Sequence, residues 1–388
     1  MIKGKAVYLN RLYSKIKFKT IDVGKSISGA SPPSVFVGKF GYPRVSVGPL
    51  IPPVHGDTQV MDLPEEWLTK GKSIEDVVNF RLSLVRGKES VNVKDVQSKP
   101  AQSLQEIALA KKSLELDAEF KKKPRGGFFH EDIQPFGPSA PLKEMKLTEN
   151  VKWNVQLEKA FYDTDLRARD AMIELYEKGL VVSSLQKALS VGAFGLRKNR
   201  KLVPTRWSIT AVDDTVSLHL LEKVKTYPLI DSYQVYEFEA FNNFFAILLM
   251  PGYWQYEFLE AFIRVLGNEE VLFSDWEPFQ GRKEYASIGG CYYSVRVSTL
   301  EKLEEMKKQA GVIIFRESYP GYIPTGVWLT RQTVREAMKK KSFVFSDLNS
   351  ALNYISGKLW LPFSRYKQQS ALLKQSSLTN FLTRNASF

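Results

Sequence analysis

LVPTRWSITAVDDTVSLHLLEKVKTYPLIDSYQVYEFEAFNNFFAILLM, residues 202–250, decides how the chain is read. Its aromatic and β-branched density is that of buried strands, so strands are expected at Leu202 to Val212, Val216 to Val224 and Tyr233 to Met250. Working outward, Pro251 opens a segment in which Trp254, Phe258, Phe262 and Leu266 recur every four residues, which predicts a helix. After Gly267 come a strand at Tyr292 to Val297, a helix from Ser298 with a capping box to Glu301, a strand at Val312 to Phe315, and helices starting near Thr330 and Ser346. Upstream, proline-fixed turns bracket short strands at Val35 to Val37 and Arg44 to Val47. Ser73 with Asp76 opens a helix carrying Ile74, Val77, Val78, Leu82 and Val85, with Gly87 placed to end it. Pro100 starts another, and a charged amphipathic helix spans Asp165 to Lys178. Strands and helices mix without regular βαβ alternation, which makes the fold class α+β.

Composition narrows the function. The 388 residues suffice for two ordinary domains or one large one, and 44% hydrophobic with 25% charged residues is the profile of a folded globular chain. The longest strongly apolar stretch, Phe244 to Met250, is far below the roughly 20 residues of a membrane helix, and Met1 to Lys5 lack a signal-peptide core. A cytoplasmic protein with no membrane partner is expected. One cysteine (Cys291) and three histidines (His55, His130, His219) lack ligand spacing, so no zinc site is expected and Cys291 reads as a small buried residue. The formal net charge of +13 attracts polyanions, nucleic acid first among them.

Two clusters could carry chemistry. Arg197-Lys198-Asn199-Arg200-Lys201 runs into Arg206-Trp207, so Arg197, Lys198, Arg200, Lys201 and Arg206 are the expected DNA contacts, while Trp207, on a strand, is expected in the core. Asp213-Asp214 at a strand end could hold Mg²⁺ or Mn²⁺ for a nuclease, although such acids are also ordinary turn formers. No cofactor is otherwise implied. Lys121 to Gly127 reads as an exposed basic loop that could touch phosphates, although a solvated charge run is the more frequent meaning. Arg316-Glu317 and Arg331 to Arg335 fit either an anion site or an ion-pair network. An RNA-binding basic protein is the third reading, and competition between duplex DNA and RNA at fixed salt separates it from the others.

The end of the chain is more specific. Gln375, Leu378, Phe381 and Leu382 match the pattern that binds the sliding clamp PCNA (a PIP-box): glutamine, two free positions, an aliphatic, two free positions, an aromatic and a second large apolar residue. A single 3₁₀ turn projects Leu378 and Phe381 from one side with Leu382 beside them, a plug for an apolar pocket. Leu382 stands where a second aromatic is commoner.

Several stretches together resemble the archaeal Nre family of DNA repair proteins. They are Ser31 to Gly38, Gly41-Tyr42-Pro43, Val47 to Leu50, the run Leu202 to Asp214, Gly289 to Tyr293, Arg316-Glu317 and Gly326-Val327-Trp328. The resemblance covers nearly the whole chain. It implies an N-terminal family domain over 1–270, a C-terminal one over 271–368 and a flexible basic tail over 369–388. It also implies a role in DNA damage repair and partnership with the clamp and other repair proteins. Many relatives begin with a cysteine-rich, zinc-finger-like segment; here no cysteine precedes Cys291, so contact through such a finger does not carry over.

Overall fold

The computed structural model describes residues 4–374, so Gln375, Leu378, Phe381 and Leu382 lie outside the described residues. Helices accompany two mixed sheets, an α+β fold. The chain forms two compact units. One comprises Lys17–Val216 with Pro324–Leu329; the other comprises Ser217–Ile323 together with the chain up to Ile16 and from Thr330 on.

The first unit is built on strands β1 (Ser26–Ser31), β2 (Val35–Val37), β3 (Arg44–Ile51), β4 (Val85–Asn92), β5 (Leu114–Phe120) and β6 (Ser139–Leu147), in the order β1-β5-β6-β4-β3-β2. Only β4 and β6 pair in parallel, over Arg86↔Ser139 to Lys88↔Pro141. The Ile74–Leu82 helix begins with the Ser73/Asp76 capping box as read. It stops at Leu82, however, and Gly87 lies inside β4 rather than at a helix end. Its lack of a side chain serves packing: a Cβ there would fall 2.6–2.8 Å from Leu142.

The second unit is built on β7 (Tyr233–Ala240), β8 (Asn243–Met250), β9 (Gln255–Ile263), β10 (Glu270–Glu277), β11 (Gly311–Ser318) and β12 (Phe343–Phe345), in the order β10-β9-β11-β8-β7-β12. One face packs Leu248, Leu259, Ile313 and Phe315 against Leu352, Ile355, Leu361 and Tyr366 of the C-terminal helices and loops. The other includes Tyr256, whose hydroxyl donates to the Tyr292 carbonyl of the Gly290–Met306 helix at 3.0 Å.

Three expectations are corrected. Leu202 to Val224 holds no strand: after Pro204 a helix runs Thr205–Val224, with Ser208, Val212, Val216, Leu220 and Val224 buried at every fourth position. Proline suits the entry to a helix, and burial of this stripe overrides the modest helix penalty of β-branched residues. The segment after Pro251 is the reverse case, strand β9 rather than helix. A repeat of four is also twice the strand period of two, so Trp254, Phe258 and Phe262 suit one face of a strand equally well. Finally, Tyr292 to Val297 belongs to the Gly290–Met306 helix, whose first eleven residues are all buried, which erases any amphipathic signal. Ser298 is therefore no cap; its hydroxyl donates to the Ser294 carbonyl one turn back at 3.0 Å.

Candidate nucleic-acid interface

Alternation along β4 puts Arg86 and Lys88 on one side of the sheet, two cations separated only by Gly87. The turn after β2 brings Lys39 and Phe40 to the same place, the basic loop brings Arg125 to Phe128, and the Thr205–Val224 helix brings Arg206. Together with Phe36, His130 and Phe136 they line a cavity of about 380 Å³. Five cations and five aromatic rings thus face one hollow within the first unit.

The floor is apolar and layered. Phe128 and Phe136 stack at 5.2 Å between centroids, Phe36 meets Phe136 at 4.9 Å, and His130 lies parallel to Phe128 at 5.9 Å. The Arg86 guanidinium sits 3.9 Å above the Phe36 ring and 5.3 Å from that of Phe136. One terminal nitrogen donates to the Ser46 carbonyl at 3.0 Å, while its buried Nε has no partner among the described residues. Burial pushes Arg86 down to about 9, and no carboxylate counteracts that push. At neutral pH it remains a charged group held in a poor solvent.

Two of the other cations shift in the same direction. Burial lowers Lys88, and its neighbours Arg86 and Lys122 lower it further. Burial also lowers Lys39, reinforced by Arg206 and opposed by Asp132. Arg206 is partly neutralised by Asp132 at 2.5 Å. Outside on the rim, Phe40 is 80% exposed with the Lys39 ammonium 5.3 Å from its ring centre. Trp207 is 47% exposed and rests against Tyr42 at 5.4 Å. The expectation that Trp207 is core fails, because helix residues 206 and 207 follow a different face from the buried stripe.

Of the DNA contacts read from sequence, Arg206 lines the cavity, and Arg197, Lys198 and Lys201 are exposed on and beside a short 3₁₀ turn, Arg197–Asn199. Arg200 differs. Its guanidinium donates to the carbonyls of Gly195 (2.8 Å), Phe161 (2.6 Å) and Asp163 (2.7 Å), which ties the loop to the end of the Val155–Tyr162 helix. Arg200→Ala is therefore expected to cost about 1–3 kcal/mol in denaturant unfolding, whereas Lys198→Ala should leave stability unchanged.

Asp213 and Asp214 sit in the interior of the Thr205–Val224 helix, not at a strand end. Successive helix residues point about 100° apart. Asp213 is fully buried and accepts from the Gln186 amide at 3.3 Å, while Asp214 is half-buried. Among the described residues neither belongs to a cluster of three or more ligating side chains.

Arg316 and Glu317 resolve into an ion-pair and hydrogen-bond network of the second unit. Arg316 binds Glu260 at 2.6 Å and the Asn243 side chain at 2.8 and 3.0 Å, and Lys5 completes the pair on Glu260. Arg335 forks onto Glu301 at 2.6 and 2.8 Å. Cys291 is buried, as read. Lys39, Phe40, Arg86, Lys88 and His130 of this candidate site are not expected from the sequence, and Arg125 belongs to the basic loop already noted there. The legible signal was the Arg-Gly-Lys alternation in a strand and the Lys39-Phe40 pair flanked by Gly38 and Gly41.

The family model "Archaeal Nre, N-terminal" matches residues 5–265, and "Archaeal Nre, C-terminal" matches residues 277–384. The chain is 41% identical to DNA repair protein NreB of Archaeoglobus fulgidus over 92% of its length and 91% of that protein. It is 36% identical to DNA repair protein NreA of the same organism, over 95% of this chain and 94% of that one. It is 33% identical to DNA repair protein NreA of Haloferax volcanii, over 83% and 80%. No solved structure matches the chain. No helix among the described residues is long and apolar enough to cross a membrane. On both family matches and on these identities, the chain belongs to the archaeal Nre family.

Proposed function

We propose that this chain is a DNA repair factor that holds DNA in the cationic cleft of its first unit and is brought to DNA by a sliding clamp. The repair role rests on the names of its relatives, all three of which are DNA repair proteins. DNA contact rests on one observation: Lys39, Arg86, Lys88, Arg125 and Arg206 converge on a cavity walled by aromatic rings. Cations neutralise phosphates, and ring faces stack bases of any sequence. The net charge of +13 adds long-range attraction. Clamp recruitment rests on Gln375, Leu378, Phe381 and Leu382; a short tether raises local concentration, so modest intrinsic DNA affinity suffices.

Lys88 and Arg125 test the cleft because neither is deeply buried. The double change Lys88→Ala with Arg125→Ala should weaken binding of single-stranded DNA and lower the slope of log K against log salt by about 1.4, for two lost phosphate contacts at ~0.7 each. An unchanged slope would remove the cleft from the interface. Independently, Phe381→Ala should abolish capture by the clamp while DNA affinity measured without the clamp stays the same. Retained clamp capture would overturn the assignment of the tail.

A further inference from the structure

Resting on the reading of the cleft as a DNA contact, we propose that it is an end-recognition site: it takes one nucleotide with a terminal phosphate monoester, the phosphate against Arg86 and the base at the aromatic rim.

Arg86 carries the argument. It is only 7% exposed and lines the cavity, and among the described residues its buried Nε has no partner and no carboxylate faces it. Buried guanidinium groups are ordinarily paired, and an unpaired one is a site waiting for an anion. Elsewhere in the same unit a buried arginine shows the paired arrangement: Arg81, 3% exposed, binds Asp62 at 2.6 Å and the Pro135 carbonyl at 2.9 Å. Arg86 lacks that carboxylate, and the cavity supplies room for a ligand to provide the charge.

The shape selects a terminus. A phosphate can reach Arg86 only by entering the hollow, and about 380 Å³ is at the scale of one small ligand rather than a passing strand. An internal phosphodiester would need the chain to enter and leave through the same space; a monoester needs one connection. A monoester also carries up to two negative charges, and Lys88, two residues along β4, is a second cation on the same side. The guanidinium carbon lies 3.9 Å from the centre of the Phe36 ring, so the cation rests on the apolar floor of the hollow. At the mouth, Phe40 offers a ring 80% exposed, and Lys39 stands beside it for the next phosphate. A carboxylate ligand would satisfy Arg86 but has no use for the stacked rings, whereas a nucleotide uses both.

The test measures binding of the full-length protein to one short single-stranded oligonucleotide in three forms: 5′-phosphorylated, 3′-phosphorylated and hydroxyl at both ends. A deoxynucleoside monophosphate and inorganic phosphate are titrated beside them. One phosphorylated form should bind about tenfold tighter than the hydroxyl form, and Arg86→Met should erase that difference while hydroxyl-end binding persists. Because a core arginine can matter for folding, Phe40→Ala serves as the second variant; it is exposed, and should weaken the phosphorylated oligonucleotide more than inorganic phosphate. If the mononucleotide binds as tightly as the strand end, the ligand is the free nucleotide with the same chemistry. Equal affinity for all three oligonucleotides overturns end recognition. In that case the Lys88/Arg125 double variant still reports on the parent reading, which fails only if its salt slope is unchanged.

Discussion

Gly48→Ala should destabilise the first unit by ~3 kcal/mol or more and abolish with it the DNA binding proposed for the cleft. A Cβ at Gly48 would lie 1.8 Å from the carbonyl oxygen of Gly87 and 2.5 Å from its carbonyl carbon. These are backbone atoms of the neighbouring strand, so no rotamer change relieves the overlap, and β4 must move away from β3. Gly87 stands between Arg86 and Lys88, so that displacement is transmitted directly to the two cations at the bottom of the cavity. Gly24→Ala is the matched control: its Cβ would have nothing nearer than 4.0 Å, and neither stability nor binding should change. Denaturant titration followed by a DNA-binding isotherm on both variants checks the claim. A Gly48→Ala protein of ordinary stability would mean that the two strands are not held at this spacing.

The coupling of this glycine pair to the site shows why some features were readable and others were not. Short-range chemistry could be read: Ser73 and Asp76 satisfy each other's backbone groups within four residues, so the capping box needs no knowledge of the rest of the chain. Strands β2 and β3 were marked by prolines and glycines for the same reason. Where both faces of an element are covered, the alternation that identifies it vanishes. The first eleven residues of the Gly290–Met306 helix and strand β9 are buried on nearly every side, so Tyr292 to Val297 reads as a strand and the segment after Pro251 as a helix. The Thr205–Val224 helix hides its stripe differently, since Ser208, Asp213 and Ser217 sit among the buried positions and dilute the apolar pattern. In the cleft, Arg206 was found because it lies near other cations in sequence. Lys39, Arg86 and Arg125 are far apart in sequence and meet through the β2–β3, β3–β4 and β4–β6 pairings. The same distance blindness hides that Arg200, read as a DNA contact, donates to three carbonyls.

Glu317→Ala should lower the stability of the second unit by ~3–5 kcal/mol, the range for removing one member of a buried charged network, and its melting temperature by roughly 10 °C. The carboxylate is fully buried on β11 and accepts four hydrogen bonds: from the backbone N–H of Trp360 (2.7 Å) and Leu361 (2.8 Å), and from the hydroxyls of Tyr366 (2.8 Å) and Tyr319 (2.9 Å). Burial, and then the charge of Glu317, push both phenols upward, so they stay protonated donors throughout the physiological range. Truncation leaves four donors facing a void. Glu317→Gln should fall between, because one acceptor oxygen survives while the amide hydrogens oppose the remaining donors. On β9 a second buried carboxylate, Glu257, accepts from the Ser370 hydroxyl (2.5 Å) and the N–H groups of Ala371 (2.8 Å) and Leu372 (3.1 Å). Two sheet carboxylates thus fasten the chain over residues 360–372, immediately before the segment that carries Gln375. The clamp motif proposed for Gln375, Leu378, Phe381 and Leu382 is untouched by either change. Below its lowered melting temperature, Glu317→Ala should therefore still be captured by the clamp through Phe381, which separates loss of the anchor from loss of the plug. If instead clamp capture disappears together with Glu317 while the protein remains folded, the motif depends on how the body presents it, and a self-sufficient tail is the wrong description.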